Sequence, residues 1–409
     1  MFSKTQDFVQ SRRDVLKTSA AAVWGSFVLG GLAINLDAKE KPMILANPAK
    51  KSSLVYLNSN ENSLGMSPNA KQAVLDNLDN SFRYLTYAPD SARTKLAEMI
   101  GKKLGFKLEN VLLGNGSSQV IQAAIYAFIN QAKLNKKPIQ LIVGDPTFEY
   151  AEFFAQPTKI KIVKVPLDKK MDLDILSMQK HAQNFKGISI VYICNPNNPT
   201  GTTANAQNID KWVKKAKSNQ TLFIFDEAYG EYATNFKSAL EYVQAGHKNI
   251  LVSKTFSKIY ALAGLRVGYG IADGEMIKLI GGYFEGNKVI TGFMEWDNMN
   301  YLGTYAALAS LADKDFEAKS LEANKKSKEM LTQTLDDLKI TYLPTQANFL
   351  FYKVKGDLST YQKRMKEAGV VVGRAFPPLL EWNRVSMGVP EEMQVFVSAL
   401  KDFRTKGWI

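Results

Sequence analysis

Ser253-Lys254-Thr255-Phe256-Ser257-Lys258 follows the apolar run Ile250-Leu251-Val252 and precedes Leu262-Ala263-Gly264-Leu265-Arg266-Val267-Gly268. A short apolar run bounded by polar residues reads as a buried strand. The carboxyl end of such a strand is where an open α/β sheet gathers its ligands. An amine taken out of water there favours its neutral form, and a neutral amine attacks carbonyl carbon. Two lysines compete for that role. Lys258 is the better spaced, because Arg266 follows it as a cation for an anionic group. Most lysines are solvated surface groups, so the assignment depends on what the other strand ends carry.

The same alternation of strand and helix recurs on both sides of this stretch. Val111-Leu112-Leu113 runs into Gly114-Asn115-Gly116-Ser117-Ser118 and a helix over 119–129. A strand, a glycine turn and a helix N-terminus offer free N–H groups and a favourable dipole to an anion. The run 139–143 ends at Gly144-Asp145-Pro146-Thr147-Phe148, and 188–194 ends at Asn195-Pro196-Asn197-Asn198-Pro199-Thr200-Gly201. The run 222–225 ends at Asp226-Glu227-Ala228-Tyr229, and residues 160–165 and 267–271 read as further strands. Apolar strands separated by helices predict a mostly parallel sheet covered on both faces. The unusual polar residues cluster at the strand ends, which points to one shared site. A lysine for covalent attachment and an arginine for an anion suit a cofactor with an aldehyde and a phosphate, as in pyridoxal 5'-phosphate.

Beyond the sheet, residues 305–340 read as long charged helices. Strands follow at 347–352, 369–372 and 384–387, and a helix at 391–401. This predicts a smaller α+β domain, joined by an N-terminal arm. The arm carries a strand at 54–57, a polar loop at 58–65 and a helix at 68–78. A loop of aromatic and charged residues, 83–90, precedes a second helix over 91–104.

With 409 residues and 45% hydrophobic content the chain can bury a large core in more than one domain. The net charge of +13 would suit nucleic acid or an anionic surface. The lysines are scattered through helical segments such as 211–217, however, and read as solvated faces; no nucleic-acid motif is present. The single cysteine, Cys194, lies in an apolar run and leaves no partner for an intrachain disulfide. Two histidines, His181 and His247, argue against a histidine triad or zinc site, and no metal is expected. Near the N-terminus, Ser11-Arg12-Arg13-Asp14-Val15-Leu16-Lys17 precedes a small, apolar run over 18–34. This matches a twin-arginine signal, with cleavage expected near Ala38. It implies export to the periplasm by the twin-arginine machinery, or a membrane anchor if uncleaved. The expected division is a signal at 1–40, an arm at 41–80, a large domain at 81–304 and a small domain at 305–409.

Taken together, Asn195 to Gly201, Asp226-Glu227-Ala228-Tyr229, and Ser257-Lys258 with Leu262 to Arg266 resemble the fold-type I, pyridoxal phosphate-dependent aminotransferases. Within them the histidinol-phosphate aminotransferase branch is the most similar, over about residues 50–405. The resemblance implies a transferase acting on an L-amino acid and a 2-oxo acid. It implies that Lys258 bonds the cofactor, that Asp226 pairs with the ring nitrogen, and that Asn198 and Tyr229 bond the ring hydroxyl. Gly116, Ser117, Ser118, Ser257 and Arg266 would hold the phosphate, and Phe148 would stack on the ring. Tyr84, or Tyr87 in its place, would reach the phosphate of a second subunit, which implies a homodimer. Arg384 would fork onto the substrate carboxylate, with Asn60, Asn348 and Arg374 on the substrate side. Ser118 and Gln119 stand where the family often has an acidic pair. Two other readings stay open: a decarboxylase or racemase of the same fold, and a non-enzymatic binding protein.

Overall fold

The computed structural model describes residues 54–409, apart from Tyr87, Asn235 and residues 286–287 and 295–296. The expected signal over 1–40 and the alternative ligand Tyr87 lie outside the described residues. The described chain opens with β1 (Val55–Leu57) and two helices, Pro68–Asp76 and Ala92–Leu104. Seven strands then form the main sheet: β2 (Val111–Gly114), β3 (Ile139–Asp145), β4 (Lys161–Pro166), β5 (Ile188–Cys194), β6 (Thr221–Asp226), β7 (Ile250–Thr255) and β8 (Gly268–Ala272). Their order is β2-β8-β7-β6-β5-β3-β4.

The sheet is parallel from β4 to β7, as the continuous apolar runs predict; β8 alone runs antiparallel to both its neighbours. Alternate side chains feed opposite layers, since strand side chains alternate faces. Val191, Ile193, Phe223 and Phe225 pack into one core. Ile190, Tyr192, Leu222 and Ile224 pack into another, against the helix Ser117–Leu134. A fully buried layer on each face is what makes β5 and β6 apolar throughout.

Two boundaries that bear on the site differ from the sequence reading. β7 continues to Thr255, so Lys254 lies within the strand and Lys258 beyond it. The anion-facing helix begins at Ser117, directly after Gly116. Residues 282–291 form a hairpin of β9 (Gly282–Glu285) and β10 (Lys288–Thr291), to which the sequence reading assigned no strands.

In the smaller lobe β11 (Phe349–Lys353) pairs antiparallel with β13 (Trp382–Ser386). β1 pairs parallel with β12 (Val370–Val372), so the N-terminal arm is tied into this lobe. Helices Lys314–Asp337, Leu358–Glu367 and Pro390–Thr405 cover these strands. Leu331, Leu350, Tyr352 and Phe396 lie at the centre of the resulting core. Among the described residues no helix is long and apolar enough to cross a membrane.

Candidate active site

The carboxyl ends of β5, β6 and β7 open into a cavity of about 490 Å³. Lys258 reaches it from the turn after β7. Its Nζ donates to the carbonyls of Asn60 (3.0 Å) and Ser59 (3.4 Å), and no described carboxylate lies within ion-pair distance. Burial, reinforced by the nearby Arg384 charge, lowers its pKa to about 8. Lys254 is different. Its Nζ lies 2.9 Å from Glu231 and 3.6 Å from Glu227. Burial pulls its pKa down, but the two carboxylates outweigh that and hold the ammonium above its ordinary value. The structure thus separates the two lysines, in favour of the one that the spacing to Arg266 preferred.

Asp226 ends β6 and is 2% exposed. Its Oδ2 accepts from the Tyr192 hydroxyl at 2.7 Å and its Oδ1 from the Ala228 N–H at 3.2 Å. Burial raises its pKa, and no described cation pairs with it. The neighbouring Tyr229 hydroxyl accepts from Asn60 Nδ2 at 3.0 Å, and burial raises it too. Asn198 accepts from Arg384 Nη1 at 2.5 Å. Phe148 lines the cavity, stacked on Tyr150 with ring centres 4.5 Å apart.

Opposite these residues a cup forms at the start of the helix Ser117–Leu134. Ser117, Ser118, Ser257 and Arg266 all line the cavity. Gly116 backs them at φ +78°, a conformation that favours glycine. A Cβ there would stand 2.3 Å from Arg266 Nη2, so the glycine makes room for the guanidinium. Gly268 does the same for the helix start, since a Cβ on it would lie 2.2 Å from the Ser117 nitrogen. Thr255 Oγ1 donates to Ser257 Oγ at 2.9 Å and accepts from the Ser257 N–H.

Arg384 enters from β13. Its Nη2 donates to the Asn58 carbonyl at 2.8 Å, while its Nε is buried with no hydrogen-bond partner. Burial lowers its pKa to about 10, still well above neutrality. Asn60 lines the cavity and takes a left-handed φ of +54°, which asparagine tolerates. Its N–H donates to Ser386 Oγ at 2.7 Å. Asn348, expected on the substrate side, instead sits behind the cavity. Its Nδ2 donates to the Asn60 and Glu61 carbonyls at 3.1 and 3.2 Å. Arg374 stands at the rim, bonded to Glu149 at 2.7 Å. Tyr84 is 79% exposed and does not line the cavity of its own chain.

Sequence reasoning missed Tyr192, Thr255 and Glu149. Tyr192 lies within an apolar strand run, where nothing local marks its hydroxyl. Thr255 and Glu149 carry no motif of their own, although Glu149 directly follows Phe148.

These residues suit one kind of guest. A buried amine lacks a carboxylate, a buried acid lacks a cation, and a helix N-terminus with an arginine lacks an anion. An aldehyde, a basic ring nitrogen and a phosphate on one molecule would satisfy all three.

Comparison with known proteins agrees. A histidinol-phosphate aminotransferase of Moorella thermoacetica is 35% identical over 353 residues, covering 85% of each chain. A solved structure of a candidate histidinol-phosphate aminotransferase from Erwinia carotovora atroseptica superposes with a TM-score of 0.80 at 38% identity. That match covers 88% of this chain and 99% of the other. The histidinol-phosphate aminotransferase of Sinorhizobium meliloti, solved with pyridoxal 5'-phosphate, shares the fold at a TM-score of 0.72 and 22% identity, over 85% of this chain and 90% of that one. The family model for class I and II aminotransferases matches residues 52–400. The chain therefore belongs to the class I and II aminotransferases, enzymes that work with pyridoxal 5'-phosphate.

Proposed function

We propose that this chain is an exported, homodimeric aminotransferase that passes the amino group of an L-amino acid to a 2-oxo acid. The observation that carries the reading is one cavity holding both a lysine poised near neutrality and a buried arginine edge. Lys258, lowered to about 8, can take and return a proton at the substrate α-carbon near physiological pH. Arg384 lines the cavity with a guanidinium whose planar donors would take a substrate carboxylate as a bidentate fork. Pyridoxal phosphate, when bound, supplies an electron sink for the electrons left at that carbon. Asp226 would pair with the ring nitrogen and keep it protonated. Gly116, Ser117, Ser118, Ser257 and Arg266 would hold the phosphate, Phe148 would pack against the ring, and Asn198 and Tyr229 would hold the ring hydroxyl. The Moorella thermoacetica relative carries the name histidinol-phosphate aminotransferase, which supports transamination as the reaction.

The exposed Tyr84 supports the homodimer, since an aromatic hydroxyl outside its own cavity is available to the phosphate cup of a second copy. The Ser11 to Lys17 pattern and the apolar run after it support export through the twin-arginine machinery.

The test is an absorbance titration of the purified, cofactor-loaded protein with a panel of L-amino acids. Conversion of the visible band by one donor, with the matching 2-oxo acid released, is the expected result. Release of an amine or of the inverted amino acid would move the reading to decarboxylation or racemisation. Failure to take up pyridoxal phosphate at all would leave only a binding protein. For export, the expected result is protein in the periplasm that stays inside when Arg12 and Arg13 are replaced by lysine.

A further inference from the structure

Two arginines from the smaller lobe face the cavity. Their guanidinium carbons lie 4.8 Å (Arg384) and 4.4 Å (Arg374) from the centre of the Phe376 ring. One aromatic ring thus gathers both cations, through the attraction of a cation for a π-face. Both line the same cavity. Their surroundings differ. Arg384 is buried and keeps a free Nε. Arg374 stands at the rim, its Nη1 donating to the Ala375 carbonyl at 2.9 Å and its Nη2 to Glu149 at 2.7 Å. Glu149 belongs to the larger lobe and lines the same cavity, yet no step above uses it. The nearby Lys164 offers no second free cation, since Glu152 (3.2 Å) and Asp145 (3.5 Å) engage it.

Two free arginines would make a dicarboxylate or a phosphorylated amino acid the complementary ligand. Glu149 alters that balance. An anionic distal group must displace its carboxylate from Arg374 and then sit beside it as a like charge. A cationic distal group meets the carboxylate directly. We propose that Glu149 is a specificity-determining residue that turns this site away from substrates with an anionic distal group and towards L-amino acids with a neutral or cationic side chain. The inference rests on the reading of Arg384 as the carboxylate anchor. The pair is half exposed, with side chains 52% and 56% accessible, so water and salt screen it. The selectivity expected at low ionic strength is therefore roughly fivefold rather than absolute.

Three carboxylates that lack an α-amino group test this without turnover: pentanoate, glutarate and 4-guanidinobutanoate. Their affinities for the full-length, cofactor-loaded protein are measured calorimetrically at low salt. In wild type, 4-guanidinobutanoate should bind more tightly than glutarate, each referenced to pentanoate. Glu149→Gln should move the glutarate-to-guanidinobutanoate ratio roughly fivefold towards glutarate, and added salt should erase much of that shift. Arg374→Gln should weaken glutarate further. A ratio unchanged by Glu149→Gln, or a wild type that already favours glutarate, overturns the proposal. If pentanoate itself fails to bind, the Arg384 anchor is wrong and the selector falls with it.

Discussion

Lys254 lies inside β7 and Lys258 four residues on, in the turn beyond it, and their environments drive them in opposite directions. Lys254 turns towards Glu227 and Glu231 and is locked as a cation. Lys258 turns towards two carbonyls, which accept its hydrogens without supplying a charge. Burial alone therefore does not make a nucleophile. Burial without a counter-ion does, because desolvation then acts unopposed on the charged form. The first lysine contributes to holding the β6 and β7 ends together, and the second is left free to react.

Exchanging the two roles is the sharpest way to break this comparison. Lys258→Ala should abolish the covalently held cofactor band and lower the transamination rate by at least ~10⁴-fold, because one group serves as both nucleophile and proton carrier. Lys254→Met should leave the band in place but cost about 3–5 kcal/mol of stability, since two carboxylates then lose their buried partner. A urea titration checks it, through a lower midpoint at an unchanged slope. A Lys254→Met protein of normal stability that no longer bonds the cofactor would reverse the assignment. Arg384→Lys keeps the charge but removes the fork, so kcat/KM should fall by about 10²-fold. The smallest effect is on pH. The neutral amine is the reactive form, so cofactor uptake by the apo-protein should quicken as pH rises through about 8, the value to which Lys258 is lowered. About a tenth of the amine is neutral one unit below that point. A half-point near the ordinary 10.5 would show that Lys258 keeps its water.

Much of this site was legible in the sequence because the strand ends announce themselves. Short apolar runs bounded by turn residues and separated by helices read as strands buried on both faces, and their polar termini then fall on one edge. Lys258, Arg266 and the glycine turn before Ser117 were picked out that way, while the resemblance supplied the roles of Asp226, Asn198, Phe148 and Arg384; all of these side chains line the cavity. What could not be read were contacts between residues far apart in the chain. Nothing local to Glu149 says that Arg374 will meet it, and nothing local to Tyr192 says that its hydroxyl will point at Asp226. Asn348 shows the converse. Its place near the site was anticipated, but its Nδ2 is committed to the backbone at Asn60 and Glu61. The hairpin at 282–291 escaped notice because its strands are short and do not alternate cleanly.

The segment from Asn58 to Asn60 has a consequence for how the molecule comes into being. Its backbone receives Lys258 and Arg384, and the Asn60 N–H seeks Ser386, 326 residues downstream. A ribosome adding about 5–20 residues per second needs on the order of tens of seconds to bridge that gap. Through that interval the sheet can be complete while the cavity still lacks its wall. Segments around Asn58–Asn60 and Arg384–Ser386 meet beside the reactive amine, so a part of the polypeptide made well after the sheet is also the part that finishes the site.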